Sequence, residues 1–210
     1  MTRLRVALAK GRLLEPSVAR FRAAGVAINN DDGSRKLLIP SSDPSIDFLV
    51  VKPGDVPVYV ESGAADLGIT GTDVLRESGA DVLEPLELQF GFCRLVVAAP
   101  AAAPYPVLPG GVTARVATKY PRLAQAYFAS VGRPVDIVQV GGSVEVAPLL
   151  NLSHWIVDLV DTGNTLRANG LVERETILNC GAVLVANRAS QKLKLDAYLD
   201  LMDRLERVAS

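Results

Sequence analysis

The chain is short of the residues on which most covalent and metal chemistry depends. Its 210 residues include one histidine, His154, and two cysteines, Cys93 and Cys180. A lone histidine with no Ser or Cys motif beside it leaves a Ser-His-Asp triad or a Cys-His pair without support. Two distant cysteines with no CxxC spacing do the same for a zinc site. Each cysteine sits in an apolar run, so both read as buried, reduced thiols of a cytoplasmic protein. Neither sign of charge is in excess: 22 Lys and Arg against 23 Asp and Glu leave a net −1. That balance argues against nucleic-acid binding by bulk electrostatics. No apolar run nears the roughly 20 residues that span a bilayer, and the charged, broken stretch from Met1 to Lys10 does not read as a signal peptide. What remains is chemistry that needs no covalent nucleophile.

What is present is ordinary globular composition, 49% hydrophobic and 21% charged, with room for one large domain or two small ones. Leu4 to Ala9 reads as a strand, and Leu14, Val18 and Phe21 recur at helical spacing up to Gly25. Phe48 to Val51 is a buried strand, Pro53 opens a helix that runs to Gly63, and Leu67 to Thr70 is a short strand with a helix behind it. This β-α-β-α rhythm means a mostly parallel sheet with ligands at the C-terminal ends of its strands. After Gly91 the pattern restarts. Strands are expected at Cys93 to Ala99, Arg115 to Thr118 and Val135 to Val140, then a short helix from Val144 to Leu150. A Pro/Ala/Gly-rich loop runs from Pro100 to Gly111. Ile177 to Ala186 is too long for one ordinary strand and reads as a chain crossing back near Gly181. Ser190 to Val208 reads as one amphipathic helix packing Leu193, Leu195, Tyr198, Leu199, Met202 and Leu205. The expectation is an α/β protein of two lobes joined by two crossovers, residues 1–90 plus 182–210 and residues 91–181, with the ligand cleft between them.

The richest stretch is His154 to Thr165. An apolar, β-branched run ends in Asp158, Leu159, Val160 and Asp161, followed by Thr162, Gly163, Asn164 and Thr165. Small residues let backbone N–H groups curl around an anion, and two hydroxyls and an amide add donors. Asp158 and Asp161 repel a phosphate but accept from vicinal hydroxyls. Phosphate donors beside hydroxyl acceptors describe a ribose-phosphate site, for which phosphoribosyl diphosphate (PRPP) is the natural ligand; the alternative is a polar turn after a core strand. Other strand-end loops offer further candidates. Lys10, Gly11 and Arg12 put two cations near a helix start. Gly71, Thr72 and Asp73 open another helix, as a nucleotide contact or as an ordinary N-cap. Lys52 is an unexpected charge at the end of a buried strand. Arg35 is either a site cation or a hairpin surface residue. Glu145 is a cap or a second ribose acceptor, and Thr118-Lys119-Tyr120 closes one more strand. His154 reads as packing at a loop or helix end.

Together these residues resemble the ATP phosphoribosyltransferase family, over nearly the whole chain. The similarity is carried by Ala9 to Leu13, by Asp55 to Glu61 with Ala65 to Asp73, by Arg115 to Pro121, by Gly142 to Glu145 and by Asp158 to Thr165. The resemblance implies a fold like the type II periplasmic binding proteins and the reaction of ATP with PRPP to give N1-(5-phosphoribosyl)-ATP and diphosphate, with Mg²⁺. It implies the short form of the enzyme, which works in a hetero-oligomer with a regulatory subunit similar to the histidyl-tRNA synthetase catalytic domain. It assigns Thr162 to Thr165 to the 5-phosphate, Asp158, Asp161 and Glu145 to the PRPP side, and Gly11, Arg12, Gly71, Thr72 and Asp73 to ATP. Lys10, Arg35 and Lys52 would then meet ATP phosphates or the leaving diphosphate. The family usually has arginine at the position of Lys52, so the bidentate fork is missing there. A salvage-type base phosphoribosyltransferase and a non-catalytic binding protein of the same fold remain the alternatives.

Overall fold

A computed structural model describes residues 3–28 and 38–208. The chain divides into two compact units, residues 1–91 with 181–210 and residues 92–180. In the first unit, strand β1 (Leu4–Ala9) lies between parallel neighbours β3 (Ile46–Val51) and β4 (Leu67–Gly71). The short β2 (Leu38–Pro40) pairs antiparallel with β3, and the end of β9 (Leu171–Ala186) pairs antiparallel with β4. Helices α1 (Leu14–Ala23), α2 (Val56–Glu61) and α3 (Thr72–Ser78) follow these strands. Near-continuous apolar runs suit strands covered on both faces, and Val6, Leu8, Phe48, Leu67 and Ile69 are buried in one core.

The second unit repeats the plan. β6 (Ala114–Thr118) pairs parallel with β7 (Val135–Gln139) and with β8 (Trp155–Val160), and β8 pairs antiparallel with β5 (Leu83–Pro100). Helices α4 (Pro121–Ser130) and α5 (Asn164–Ala168) follow β6 and β8. Trp155, Phe128 and Val116 centre one core layer and Ile156, Val96 and Val144 the other. Cys93 and Cys180 are buried and form no disulfide. His154 packs where a strand begins, its Nδ1 accepting the backbone N–H of Arg115 at 2.9 Å.

Four expectations need correction. The strand read from Cys93 to Ala99 starts at Leu83, because Leu86, Leu88 and Phe90 alternate inward against exposed Glu87 and Gln89, and neither Pro85 nor Gly91 stops it. The crossing segment read from Ile177 begins at Leu171 and is one strand of 16 residues. The helix read from Val144 to Leu150 is only a 3-10 turn, Val144–Val146. Ser190 to Val208 is two helices, α6 (Arg188–Leu193) and α7 (Leu195–Arg207), broken at Lys194. The break has a tertiary cause: Lys194 Nζ reaches the buried Asp66 carboxylate and the Arg3 carbonyl, both at 2.8 Å. As a result Leu193, Leu195 and Leu199 are exposed, and Tyr198, Leu201, Met202 and Leu205 form the buried stripe.

Asn187 ties the end of β9 to two helices. Its Oδ1 accepts from the N–H groups of Ala189 and Ser190, capping α6, while Nδ2 donates to the Val60 and Glu61 carbonyls that end α2. Asn187→Ala therefore removes a cap and two donated hydrogen bonds, although the Val60 carbonyl keeps the Gly63 N–H at 3.1 Å. The expected loss is about 2–3 kcal/mol, read as a lower urea midpoint at unchanged slope; a loss under about 0.5 kcal/mol would contradict it.

Candidate functional site

β6, β7 and β8 run in one direction, so their C-terminal ends share one edge of the sheet. In parallel α/β structures that edge is where ligands sit, because the loops leaving it are free of the hydrogen-bond ladder. Here the three loops enclose a cavity of about 400 Å³ lined by Lys119, Ser143, Glu145 and the whole run from Asp158 to Leu166. Glu145, Asp158, Asp161, Thr162, Gly163, Asn164 and Thr165 are thus brought to a single cavity within the second unit.

The loop after β8 owes its shape to Gly163. Its φ of +75° is a left-handed conformation costly for any side chain, and a Cβ there would stand 3.0 Å from Arg167 Nη1 and 3.3 Å from Glu173 Oε1. Thr162, Asn164 and Thr165 are exposed on either side of this buried turn, with hydroxyls and amide open to a ligand. Arg167 braces the turn from outside, donating to the Thr162 carbonyl at 3.1 Å and to Asn164 Oδ1 at 2.5 Å. α5 has only five residues, so the donors of the turn carry the anion chemistry and the helix dipole adds little.

The acidic side of the cavity differs in kind. Asp158 sits on the last turn of the β8 ladder, half-buried, with Oδ1 accepting the Leu159 N–H at 2.9 Å. Burial pushes its carboxyl up from the usual range. Lys119, 3.5 Å away, and the Leu159 N–H pull it down, while Glu145 adds to the upward push. Glu145 stands in the turn after β7, held there by Ser143, whose φ of 47° is a left-handed conformation unusual for a residue with a side chain. Lys119, in a strand-end segment the sequence offers as a candidate lining of the cleft, does line this cavity, and Ser143 is a lining residue to which the sequence gives no role of its own. The Gly141-Gly142-Ser143 run signals a tight turn, and Lys119 is signalled by its place one residue past a strand end.

The candidates of the first unit lie at the matching edge of its own sheet. Ala9 is in register with Val51, and the Lys10 N–H donates to the Val51 carbonyl at 2.8 Å, so Lys10 and Lys52 leave adjacent strands side by side. Gly71 ends β4, the strand on the other side of β1. Lys52 is exposed, which removes the puzzle of a cation in a buried strand: the burial ends at Val51. Lys10, Gly11 and Arg12 are exposed as well, but α1 starts two residues later, at Leu14, with Leu13 as its cap. Neither Thr72 nor Asp73 stands at the cap position of α3. Gly71 is the cap residue, and the Thr72 hydroxyl accepts the Gly181 N–H at 3.2 Å. Asp73 is 3% exposed and folds its carboxylate back over Gly71, where a Cβ would have stood 2.2 Å from Oδ1. Arg35 lies outside the described residues.

Among the described residues no group of three or more His, Cys, Asp or Glu side chains stands together as a metal cage, and no helix is long and apolar enough to cross a membrane.

Comparison with known proteins converges on one family. The family model described as ATP phosphoribosyltransferase matches residues 52–207. The ATP phosphoribosyltransferase of Acidithiobacillus ferrooxidans is 47% identical over 208 residues, covering 98% of this chain and 97% of the relative. Among solved structures, the ATP phosphoribosyl transferase (HisG:HisZ) complex from Thermotoga maritima superposes with a TM-score of 0.86 at 33% identity, covering 98% of both chains. The periplasmic aliphatic sulphonate binding protein SsuA from Escherichia coli matches with a TM-score of 0.59 at 13% identity, covering 100% of this chain and 73% of that one. That likeness is one of fold, the two-lobed α/β architecture of periplasmic binding proteins.

Proposed function

The chain belongs to the ATP phosphoribosyltransferase family, and on that premise we propose that it joins N1 of the ATP adenine to C1′ of PRPP with release of diphosphate, the first step of histidine biosynthesis. The observation that carries the reading is the single cavity at the end of β8, where anion donors and hydroxyl acceptors stand next to each other. The donors of Thr162, Gly163, Asn164 and Thr165 hold the 5-phosphate; Asp158, with Glu145 and Asp161, takes the ribose hydroxyls. The second unit is then the PRPP side and the first the ATP side.

The chemistry suits a site without a nucleophilic side chain. Adenine N1 brings its own lone pair to C1′, the C1′–O bond to diphosphate breaks, and both electrons leave with the diphosphate. The protein positions two anionic substrates and meets the charge that develops on the leaving group. Lys10, Lys52 and Arg35 are assigned to that charge and to the ATP phosphates, with Gly11, Arg12, Gly71 and Thr72 nearby. Asp73, turned inward, supports the Gly71 turn in this reading. Mg²⁺ bound together with the substrates would supply charge neutralisation at diphosphate oxygens, and because this ion keeps most of its waters it would ask few ligands of the protein. The reading places the protein in the cytoplasm.

Incubation with PRPP and either ATP or free purine and pyrimidine bases tests the acceptor. Diphosphate release with ATP alone is expected, and release with a free base would move the chain to salvage chemistry. Binding of PRPP without any release would favour a solute-binding role.

The relative of known structure from Thermotoga maritima is a two-component complex. On that precedent this chain works with a synthetase-like regulatory subunit that supplies histidine feedback in trans. A partner that binds one state of the catalytic chain better than another changes activity through a coupling of typically 1–3 kcal/mol. Strong histidine inhibition of the purified chain by itself would contradict the assignment.

A further inference from the structure

We infer that Lys119 is a positioning residue for the ribose subsite, holding Asp158 as an acceptor carboxylate before substrate arrives. The inference deepens the phosphoribosyl reading above and rests on it. β6 and β8 are parallel with Thr118 opposite Val157, so the next residue along each strand is Lys119 on one and Asp158 on the other. The two side chains therefore leave the same edge of the sheet together, and Lys119 Nζ stands 3.5 Å from Asp158 Oδ1. Their surroundings are unequal: the carboxylate side chain is 16% exposed and the lysine side chain 38%. The acid is sunk in the cavity wall, while the ammonium keeps its hydration on one side, where it lies 6.0 Å from the Tyr120 ring.

This asymmetry has a chemical consequence. A sunken carboxylate tends to hold its proton, because burial disfavours the charged form. From the other elements packed around it, Asp158 meets no second cation in contact among the described residues. Val96 lies opposite on β5, Glu145 faces it from the turn after β7, and Asp161 lies three residues on in its own loop. The nearby Arg94 is engaged with Glu173, both carboxylate oxygens at 3.1 Å. Burial and the Glu145 charge favour protonation, and Lys119 and the Leu159 N–H oppose it. A ribose diol presents two O–H donors, so it needs the ionised acid; a protonated Asp158 would offer a donor of its own and fewer acceptor sites. By this account Lys119 need not touch the substrate at all.

The direction of the effect follows. Asp158 already titrates above the usual carboxylate range, and removing Lys119 takes away a charge that pulls it down, so it titrates higher still. PRPP binding is then intact at alkaline pH and lost as pH falls through the raised value. The experiment is calorimetric titration of PRPP on the wild type, Lys119→Met, Lys119→Gln and Lys119→Arg, from alkaline pH down to the most acid pH at which the proteins stay folded. Melting curves report folding. Lys119→Met and Lys119→Gln are expected to bind within about twofold of wild type at the alkaline end. As pH falls, the loss of affinity in Lys119→Met and Lys119→Gln should set in at a higher pH than in wild type, and Lys119→Arg should restore the wild-type profile. An unchanged profile, or an equal loss of affinity at every pH, overturns the inference and leaves the PRPP assignment standing. Failure of the wild type to bind PRPP at any pH overturns both.

Discussion

Replacing Asp158 by asparagine is expected to lower kcat/KM for PRPP about ten- to one-hundred-fold while leaving the fold intact. The carboxylate lines the cavity at the C-terminal end of β8, on the edge where the parallel strands of its unit open. An amide of the same shape keeps the Leu159 N–H contact but loses the charge that strengthens bonds to hydroxyl donors. A hydrogen bond to a charged group contributes about 1.5–3 kcal/mol, and every 1.4 kcal/mol is a factor of ten. The substitution also unpairs Lys119, which is 38% exposed and can return to water, so stability should change by less than about 1 kcal/mol. Steady-state kinetics at sub-saturating PRPP, with urea unfolding alongside, gives both numbers. Turnover within twofold of wild type in a folded protein would remove Asp158 from the ribose subsite.

Gly163→Ala should be as damaging through geometry alone. The left-handed backbone costs a residue with a Cβ about 1–2 kcal/mol, and the new methyl must displace the Arg167 guanidinium at 3.0 Å and the Glu173 carboxylate at 3.3 Å. Moving the guanidinium loosens Thr162 and Asn164, whose carbonyl and Oδ1 Arg167 holds from outside, and shifts their donors away from the position a phosphate requires. The expected result is at least a tenfold rise in KM for PRPP. Gly132→Ala is the matched control. Gly132 has a similar φ of +67° in the same unit, but nothing lies within 4 Å of an added Cβ. That variant should lose stability from backbone strain and keep its KM. Equal effects of the two substitutions on KM would show that the turn does not hold the phosphate.

The parts of this molecule that were legible in its sequence are the contiguous ones. Asp158 to Thr165 declares itself because an apolar strand, two acids and a Gly-containing donor turn follow each other within eight positions, and all of that chemistry ends in one cavity. The β-α alternation is equally local, and apart from the early starts of β5 and β9 the strands expected from apolar runs appear close to where those runs place them. What stayed hidden depends on register between distant segments. Lys119 gains its meaning from the pairing of Thr118 with Val157, and Lys10 meets Lys52 only because Ala9 pairs with Val51. Neither relation leaves a trace in linear spacing. Tertiary contacts also overrode local signals. The amphipathic pattern from Ser190 onward gives no hint that Asp66 will capture Lys194 and split the helix. In Leu83–Pro100 the breakers Pro85 and Gly91 masked an alternation that the strand obeys. Asp73 reads as a nucleotide contact or an N-cap because acids commonly open helices, whereas the absence of a Cβ on Gly71 lets it fold inward.

The central claim is that a nitrogen of ATP, and no group of the protein, forms the new bond at C1′ of PRPP. It is tested most directly by labelling the two atoms concerned. PRPP carrying ¹³C at C1′ and ATP carrying ¹⁵N at N1 are incubated with the protein, Mg²⁺ and the regulatory subunit, and the product is read by NMR beside a diphosphate assay. A one-bond ¹³C–¹⁵N coupling in a single product is expected, formed one for one with diphosphate. Diphosphate release without that coupling, or at the same rate when ATP is left out, would contradict it.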